Sequence, residues 1–427
     1  MRYTAPKGTR DILPGQIGAS VALERLFLNL AAIYGYRELR TPIFERTELF
    51  ARGLGDATDV VQKEMFSFLD RGGRSLTLRP ELTAGAVRAY LEHNLAGEGP
   101  VTKLCYLGPA FRQERPQAGR YQQFTQYGVE CFGSRDPGLD AEAIDLAIAF
   151  VHAAGLDEVK LLLNAIGCPG CRPAYREALV KSLEARRGDL CPTCLERLEK
   201  NPLRVLDCKS PACREATAGA PAPVDHLCDE CAGHFQAVRG RLADIGRDYT
   251  LAPRLVRGLD YYTNTVFEVT AAGLGSQDSI LGGGRYDGLV EACGGPPTPG
   301  VGFAGGCERL LIALQSAGRA PGGETRVVVF LAPFGHGDAG QLAFGLAHRL
   351  RAAGVATDLD YQGRSLKAQL READRLGARA AVLLGPDELA RNTAAVRWLD
   401  SKTQTEVPLA SLVDYLRREV ASLAEKK

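Results

Sequence analysis

Residues 112–133 run RQERPQAGRYQQFTQYGVECFG. Residues 105–112 (CYLGPAFR) before the loop are largely apolar, 115–120 carry Pro, Gly and polar groups, and 123–132 alternate again. That pattern predicts a strand, a loop and a return strand. Side chains two apart on a strand share a face. Arg112 and Glu114 therefore point one way, and Phe124, Gln126, Gly128 and Glu130 line one face of the return strand. A core strand would be apolar there. A permanent guanidinium beside carboxylates, with a side-chain-free Gly128, predicts a floor on which something polar sits.

Outward from this hairpin, 21–35 and 139–155 have apolar residues at helical spacing, and so has the segment 82–95. Residues 74–79, 159–166 and 264–270 predict strands, the segment 250–257 regular structure, 282–284 a glycine turn, and the segment from Gly306 through 317 a helix. Residues 316–325 (SAGRAPGGET) are a linker by composition. Beyond it an apolar strand (326–334), a helix, two further strands and two further helices alternate, which predicts an α/β domain with a partly parallel sheet. That tail holds 15 Lys+Arg and 12 Asp+Glu over 325–427, a mild basic excess compatible with RNA contact and equally with a solvated helix face.

The 427 residues suffice for two or three domains, and 45% apolar with 24% charged residues is ordinary for a globular chain. The net charge of +1 neither announces nor excludes a nucleic-acid partner, because a local basic surface suffices. No uninterrupted apolar run of membrane length occurs, and MRYTAPKGTRDILPG lacks the apolar core of a secretory signal, so a cytosolic chain without membrane contact is expected. In that compartment disulfides are disfavoured. Of 12 cysteines, eight lie between Cys168 and Cys231. Cys168-x2-Cys171, nineteen residues, then Cys191-x2-Cys194 has structural-zinc spacing, and Cys208-x4-Cys213 with Cys228-x2-Cys231 would make a second four-thiolate site. Reduced, part-buried thiols are the competing reading.

Four segments together resemble histidyl-tRNA synthetases, a class II aminoacyl-tRNA synthetase family. They are KGTRDILP (7–14) with TPIFE (41–45); the hairpin 111–133; RGLDYYTNTVFEV (257–269) with GGGRYDGLV (282–290); and GFAGGCERLLIAL (302–314). The resemblance implies an α/β protein with an α+β catalytic domain: an antiparallel sheet flanked by helices, an inserted subdomain and a C-terminal α/β anticodon-binding domain. The expected bounds are 1–167 and 241–317 for the catalytic parts, 168–240 for the Cys-rich insertion and 326–427 for the tail. It implies a homodimer joined through TPIFE. The implied reaction is histidine plus ATP, with Mg²⁺, to histidyl-adenylate and pyrophosphate, then transfer to the 3′ end of the cognate histidine tRNA.

The resemblance also assigns roles. Arg112 and Arg257 are the catalytic cations at the α-phosphate. Arg112, Glu114 and Arg309 bind ATP. Glu81, Thr83, Arg120, Gln126, Glu130, Tyr262 and Tyr286 bind histidine, with Glu130 on one imidazole nitrogen and Tyr262 on the other. Arg115 and Gln117 meet the tRNA acceptor end. Thr83 also fits an N-cap of the following helix. The chain departs from the family at Gln122 and Thr125, where Arg and His are usual, which bears on the acceptor-end loop. The family does not require zinc for catalysis, so the metal stays open. A non-catalytic paralogue, the regulatory subunit of ATP phosphoribosyltransferase, shares the catalytic fold; it typically lacks the C-terminal domain and the full motif set.

Overall fold

The structure, a computed structural model, describes residues 3–55, 58, 60–114, 119–274, 278–319, 327–335 and 338–425. Arg115, Gln117 and most of the linker lie outside these residues. The chain forms two compact units, Met1–Gly323 and Glu324–Lys427.

The first unit is built on the hairpin. Thr102–Phe111 and Gln123–Phe132 pair antiparallel over their whole length, with Tyr106 opposite Gly128. They sit in an eight-stranded sheet ordered Arg37–Glu38, Thr102–Phe111, Gln123–Phe132, Gly300–Gly306, Ser279–Arg285, Thr263–Ala271, Val159–Ala165, Thr250–Leu251. Only the two short edge strands pair in parallel. Of the expected regular structure at 250–257, only this two-residue strand forms.

One face is closed by the helices Pro14–Ile33, Pro137–Ala153, Asp229–Asp244 and Cys307–Ser316, whose apolar stripes share a core with the strands. At its centre Phe27 meets the rings of Tyr127 and Phe150 at 5.1 and 5.2 Å. Burying such a ring stabilises by roughly 1.5–3 kcal/mol. Pro137 at the first helical position and the Asp136 carboxylate, which accepts from the Gly138 N–H at 2.7 Å, start the second helix. Pro14–Ile33 is long and apolar enough to cross a membrane by composition alone. It nevertheless carries Glu24 and Arg25 and places Leu23, Phe27 and Ala31 in this core.

The glycine run corrects the sequence reading: Gly282–Gly284 is no turn but the middle of the central strand Ser279–Arg285. A Cβ at Gly283 would fall 2.6–2.7 Å from the Cβ and Cα of Phe303 on the neighbouring strand. Glycine here serves close approach rather than chain reversal. The next residue, Arg285, is fully buried and pairs with Asp140, tying the strand to the helix Pro137–Ala153.

Between Ala165 and Thr250 the insertion builds its own core from Tyr175, Leu179, Leu183, Leu198 and Val205 on the helices Arg172–Glu184 and Pro192–Lys200 and the turn that follows. Its last helix, Asp229–Asp244, runs through the expected boundary at 240 and packs Phe235, Val238 and Leu242 into the main core instead. The cysteines group differently from the expected sequential sets. The structure gathers Cys168, Cys171, Cys228 and Cys231 in one cluster and Cys191, Cys194, Cys208 and Cys213 in another. Chain return through Asp229–Asp244 brings the last pair back to the first, which spacing alone does not reveal.

The second unit is a five-stranded sheet ordered Thr357–Leu359, Val329–Pro333, Ala380–Leu384, Thr393–Trp398, Gln404–Pro408. The first three strands are parallel, the last two antiparallel. The helices Ala339–Ala352 and Leu412–Glu425 cover Val329, Leu331 and Val382. The hairpin 393–408 was not expected from sequence. Its outer strand buries only Val407, so no apolar alternation marks it.

Candidate active site

On the sheet face opposite the helices lies a cleft of about 200 Å³. Arg112, Arg120, Arg257 and Arg309 line it, with the carboxylates Glu81, Glu114 and Glu308. Thr83, Phe124, Gln126, Tyr261 and Tyr262 complete the polar and aromatic wall. Residues from distant motifs thus converge because their strands are neighbours: Gln126 lies opposite Gly306, and Arg257 reaches over Gly282.

Each arginine is held by the backbone or by a carboxylate. Arg112 donates through Nε to the Pro80 carbonyl at 2.8 Å and lies 5.4 Å over the Phe124 ring. Arg309 donates to the Ser279 carbonyl at 2.7 Å. Burial lowers its pKa, and Arg120 nearby adds to the effect. Arg120 is paired with Glu114 at 2.6 Å, so those two expected ligand contacts neutralise each other here. Arg257 pairs with Glu268 at 2.6 Å, while its buried Nε has no hydrogen-bond partner among the described residues. Burial works against its charge, but Tyr262 and Glu268 more than offset this and hold its pKa up.

The turn before the helix Thr83–Glu92 differs from the N-cap expectation. Thr83 is the first helical residue, and its hydroxyl lies 3.2 Å from that of Tyr106. The cap is the Glu81 carboxylate, which accepts from the N–H groups of Thr83 and Ala84 at 2.6 and 2.8 Å. Such bonds to a helix N-terminus favour the charged form. Burial nevertheless dominates and raises the Glu81 pKa. Gln126 Oε1 accepts from the Leu82 N–H at 2.8 Å, joining this turn to the return strand.

Glu130 and Tyr286 lie one layer deeper than expected, beneath the residues that line the cleft. Glu130 is 1% exposed and accepts from Tyr106 at 2.8 Å and from Tyr286. Burial pushes its pKa up to about 8, against the opposing hydrogen bonds of Tyr286, Thr83 and Tyr106. Tyr106 was missed in the sequence, because its place opposite Gly128 depends on the register of the hairpin. A Cβ at Gly128 would lie 2.6–2.7 Å from the Tyr106 hydroxyl and ring. Gly128 is therefore bare to admit the Tyr106 ring rather than to seat a ligand. Glu308 was missed too; it receives the Thr125 N–H at 2.9 Å, which occupies one of the two departing positions. The other, Gln122, pairs its N–H with the Gly8 carbonyl at 2.7 Å, so KGTR lies against the base of this loop.

The loop that carries Arg257 and Tyr262 is gripped by the insertion. Arg172 donates to the Tyr262 carbonyl, Asn201 to Asp260 at 2.8 Å and Arg204 to the Gly258 carbonyl at 2.7 Å.

A family model described as histidyl-tRNA synthetase matches residues 8–310, and an anticodon binding domain model matches 327–419. The histidine–tRNA ligase of Moorella thermoacetica is 54% identical over 418 residues, spanning 98% of this chain and 99% of that protein. The chain belongs to the histidyl-tRNA synthetase family. The histidine–tRNA ligase of Pelotomaculum thermopropionicum is 52% identical over 421 residues, spanning 98% and 99%. The crystal structure of apo Staphylococcus aureus histidyl-tRNA synthetase superposes with a TM-score of 0.82 at 37% identity, over 97% of this chain and all of that one. Synthetase architecture, a helix-flanked antiparallel sheet with a separate α/β anticodon-binding unit, is thus the fold of this chain.

Proposed function

We propose that the chain is a histidine–tRNA ligase that makes histidyl-adenylate in this cleft and passes histidine to its tRNA. The convergence of Arg112, Arg257 and Arg309, from three separate motifs, on one cleft carries the reading. The histidine carboxylate and the α-phosphate are both anions, and charge grows at the pentavalent transition state. Fixed cations that need not reorganise lower that barrier. Arg112 spans carboxylate and α-phosphate, Arg257 stands across the α-phosphate, and Arg309 holds the distal phosphates and the base. The carboxylate oxygen bonds to phosphorus as the bond to pyrophosphate breaks. The tRNA 3′-terminal hydroxyl then attacks the acyl carbon, and AMP leaves. Mg²⁺ accompanying ATP would supply further positive charge to the phosphates.

Glu81 and Thr83 take the α-ammonium, whose charge suits a buried carboxylate. Glu130 and Tyr262 take the two imidazole nitrogens, Gln126 lies alongside, and Arg120 pairs with Glu114 in the cleft wall. The paralogous regulatory reading is disfavoured by the anticodon-binding match at 327–419 and by the near full-length identity to ligases. A homodimer is supported by apolar side chains on the small sheet of Phe44–Arg46, Ser75–Leu78 and Phe66–Leu69, where Ile43, Phe44, Phe68 and Leu69 are exposed. Sedimentation of the intact chain reads that state directly. Twelve unpaired thiols suit the reducing cytosol.

The pocket assignment yields a pH signature. With its pKa at about 8 in the folded chain, Glu130 keeps a proton that the unfolded chain loses near its ordinary value. Its contribution to stability therefore falls as pH rises between those limits. An imidazole N–H donor demands the carboxylate, so histidine binding at pH 7.5 expels this proton. Calorimetry in two buffers of different ionisation enthalpy should read roughly three quarters of a proton released per histidine, and far less in Glu130→Gln. The same change should raise KM for histidine roughly 10–100-fold, the equivalent of a charge-assisted bond of about 1.5–3 kcal/mol, and leave KM for ATP in place. An unchanged KM for histidine with a raised KM for ATP would move the pocket elsewhere.

A further inference from the structure

We propose that the insertion holds two structural zinc ions, each in a tetrathiolate site assembled crosswise along the chain. Cys168, Cys171, Cys228 and Cys231 form the first, Cys191, Cys194, Cys208 and Cys213 the second. In both clusters the sulfur atoms lie within 4.8 Å of one another. The closest pairs, Cys168–Cys171 at 3.6 Å, Cys171–Cys231 at 3.7 Å and Cys191–Cys208 at 3.9 Å, match the edge of a tetrahedron with zinc–sulfur bonds of about 2.3 Å, roughly 3.8 Å. A disulfide would require sulfurs at about 2.05 Å, and every cysteine is a free thiol.

Backbone groups are already turned toward the sulfurs. The Cys228 N–H points at Cys171 Sγ and the Cys191 N–H at Cys213 Sγ, each at 3.1 Å, so in both clusters an amide from one half meets a sulfur from the other. Hydrogen bonds of this kind orient a ligating group and stabilise its charge. Cys171, Cys191 and Cys228 immediately precede the helices Arg172–Glu184, Pro192–Lys200 and Asp229–Asp244, so three ligand positions are fixed by regular structure. An all-thiolate set selects a soft or borderline ion, and four closed ligands leave no position for substrate, so the sites are structural rather than catalytic. The first site ties the start of the insertion to the helix that rejoins the main core. The second closes the small core around Leu198 and Val205.

The test is elemental analysis of the full chain purified without chelator, with X-ray absorption at the zinc edge. We expect two zinc ions per chain, each with four sulfur neighbours. The quadruple Cys→Ser variant at 168, 171, 228 and 231 should keep one zinc, and so should the quadruple variant at 191, 194, 208 and 213. Sequential pairing of the cysteines predicts instead that either variant loses both ions. Loss of both in a soluble, folded variant overturns the crosswise assignment. If the variants do not fold, the native chain decides alone: fewer than two zinc ions, a nitrogen or oxygen ligand, or disulfides in the metal-free protein overturn the proposal. Catalysis takes no step through these ions, so the outcome is independent of the ligase reading.

Discussion

Replacing Arg257 with alanine should lower histidine-dependent pyrophosphate exchange by roughly 10²–10³-fold, the loss expected when one preorganised donor to a developing oxyanion is removed, about 3–4 kcal/mol. The guanidinium lines the cleft, is held by Glu268 at 2.6 Å, and keeps its Nε unpaired among the described residues. These features suit a cation fixed before the substrate arrives. The fold should survive, because the Glu268 side chain that loses its partner is 20% exposed and water can reach it. Thermal unfolding near that of the wild type together with the kinetic loss is the expected pair of results. Exchange at the wild-type rate would remove Arg257 from the mechanism.

Gly282→Ala should produce nearly the same kinetic loss without touching a charged residue. A methyl group at Gly282 would sit 2.6 Å from Arg257 Cζ and 2.7 Å from its Nη2. The guanidinium is the far end of a flexible side chain, so it yields and the strand does not. Displacement by about an ångström from a productive geometry can cost on the order of 10²-fold. KM for histidine and the melting temperature should move little, while kcat for exchange collapses. At Gly283 the neighbours are the backbone and Cβ of Phe303, so alanine there should destabilise the sheet itself. A Gly282→Ala enzyme with full activity would mean that Arg257 is not held against this strand in solution.

Much of this was legible in the chain. The hairpin 102–132 announced itself because polar residues occupy one face of a strand that is apolar on the other, and that face does carry Gln126 and Glu130. The arginines were legible because Arg112, Arg257 and Arg309 fall in three separately matched motifs. Distance across the sheet was not legible. Glycines at 282–284 have the same letters in a turn and in a crowded central strand, and only the neighbours Thr263–Ala271 and Gly300–Gly306 decide between them. Tyr106 escaped notice because its partner Glu130 is 24 residues away and the hydrogen bond depends on register. The cysteine clusters escaped for the same reason on a longer scale: Cys171 and Cys231 meet across 60 residues, through a helix that belongs to another core. The outer hairpin of the second unit was hidden because its edge strand is almost wholly solvated.

Histidine activation in this cleft is open to direct measurement. The most direct measurement is amino-acid-dependent exchange of radiolabelled pyrophosphate into ATP by the purified full chain, with each of the standard amino acids supplied singly. Exchange is expected with histidine and none above background with the others, because a pocket that must satisfy two ring nitrogens leaves buried groups unpaired with any other side chain. Exchange supported by a different amino acid, or by none while the protein is folded and binds ATP, would contradict it.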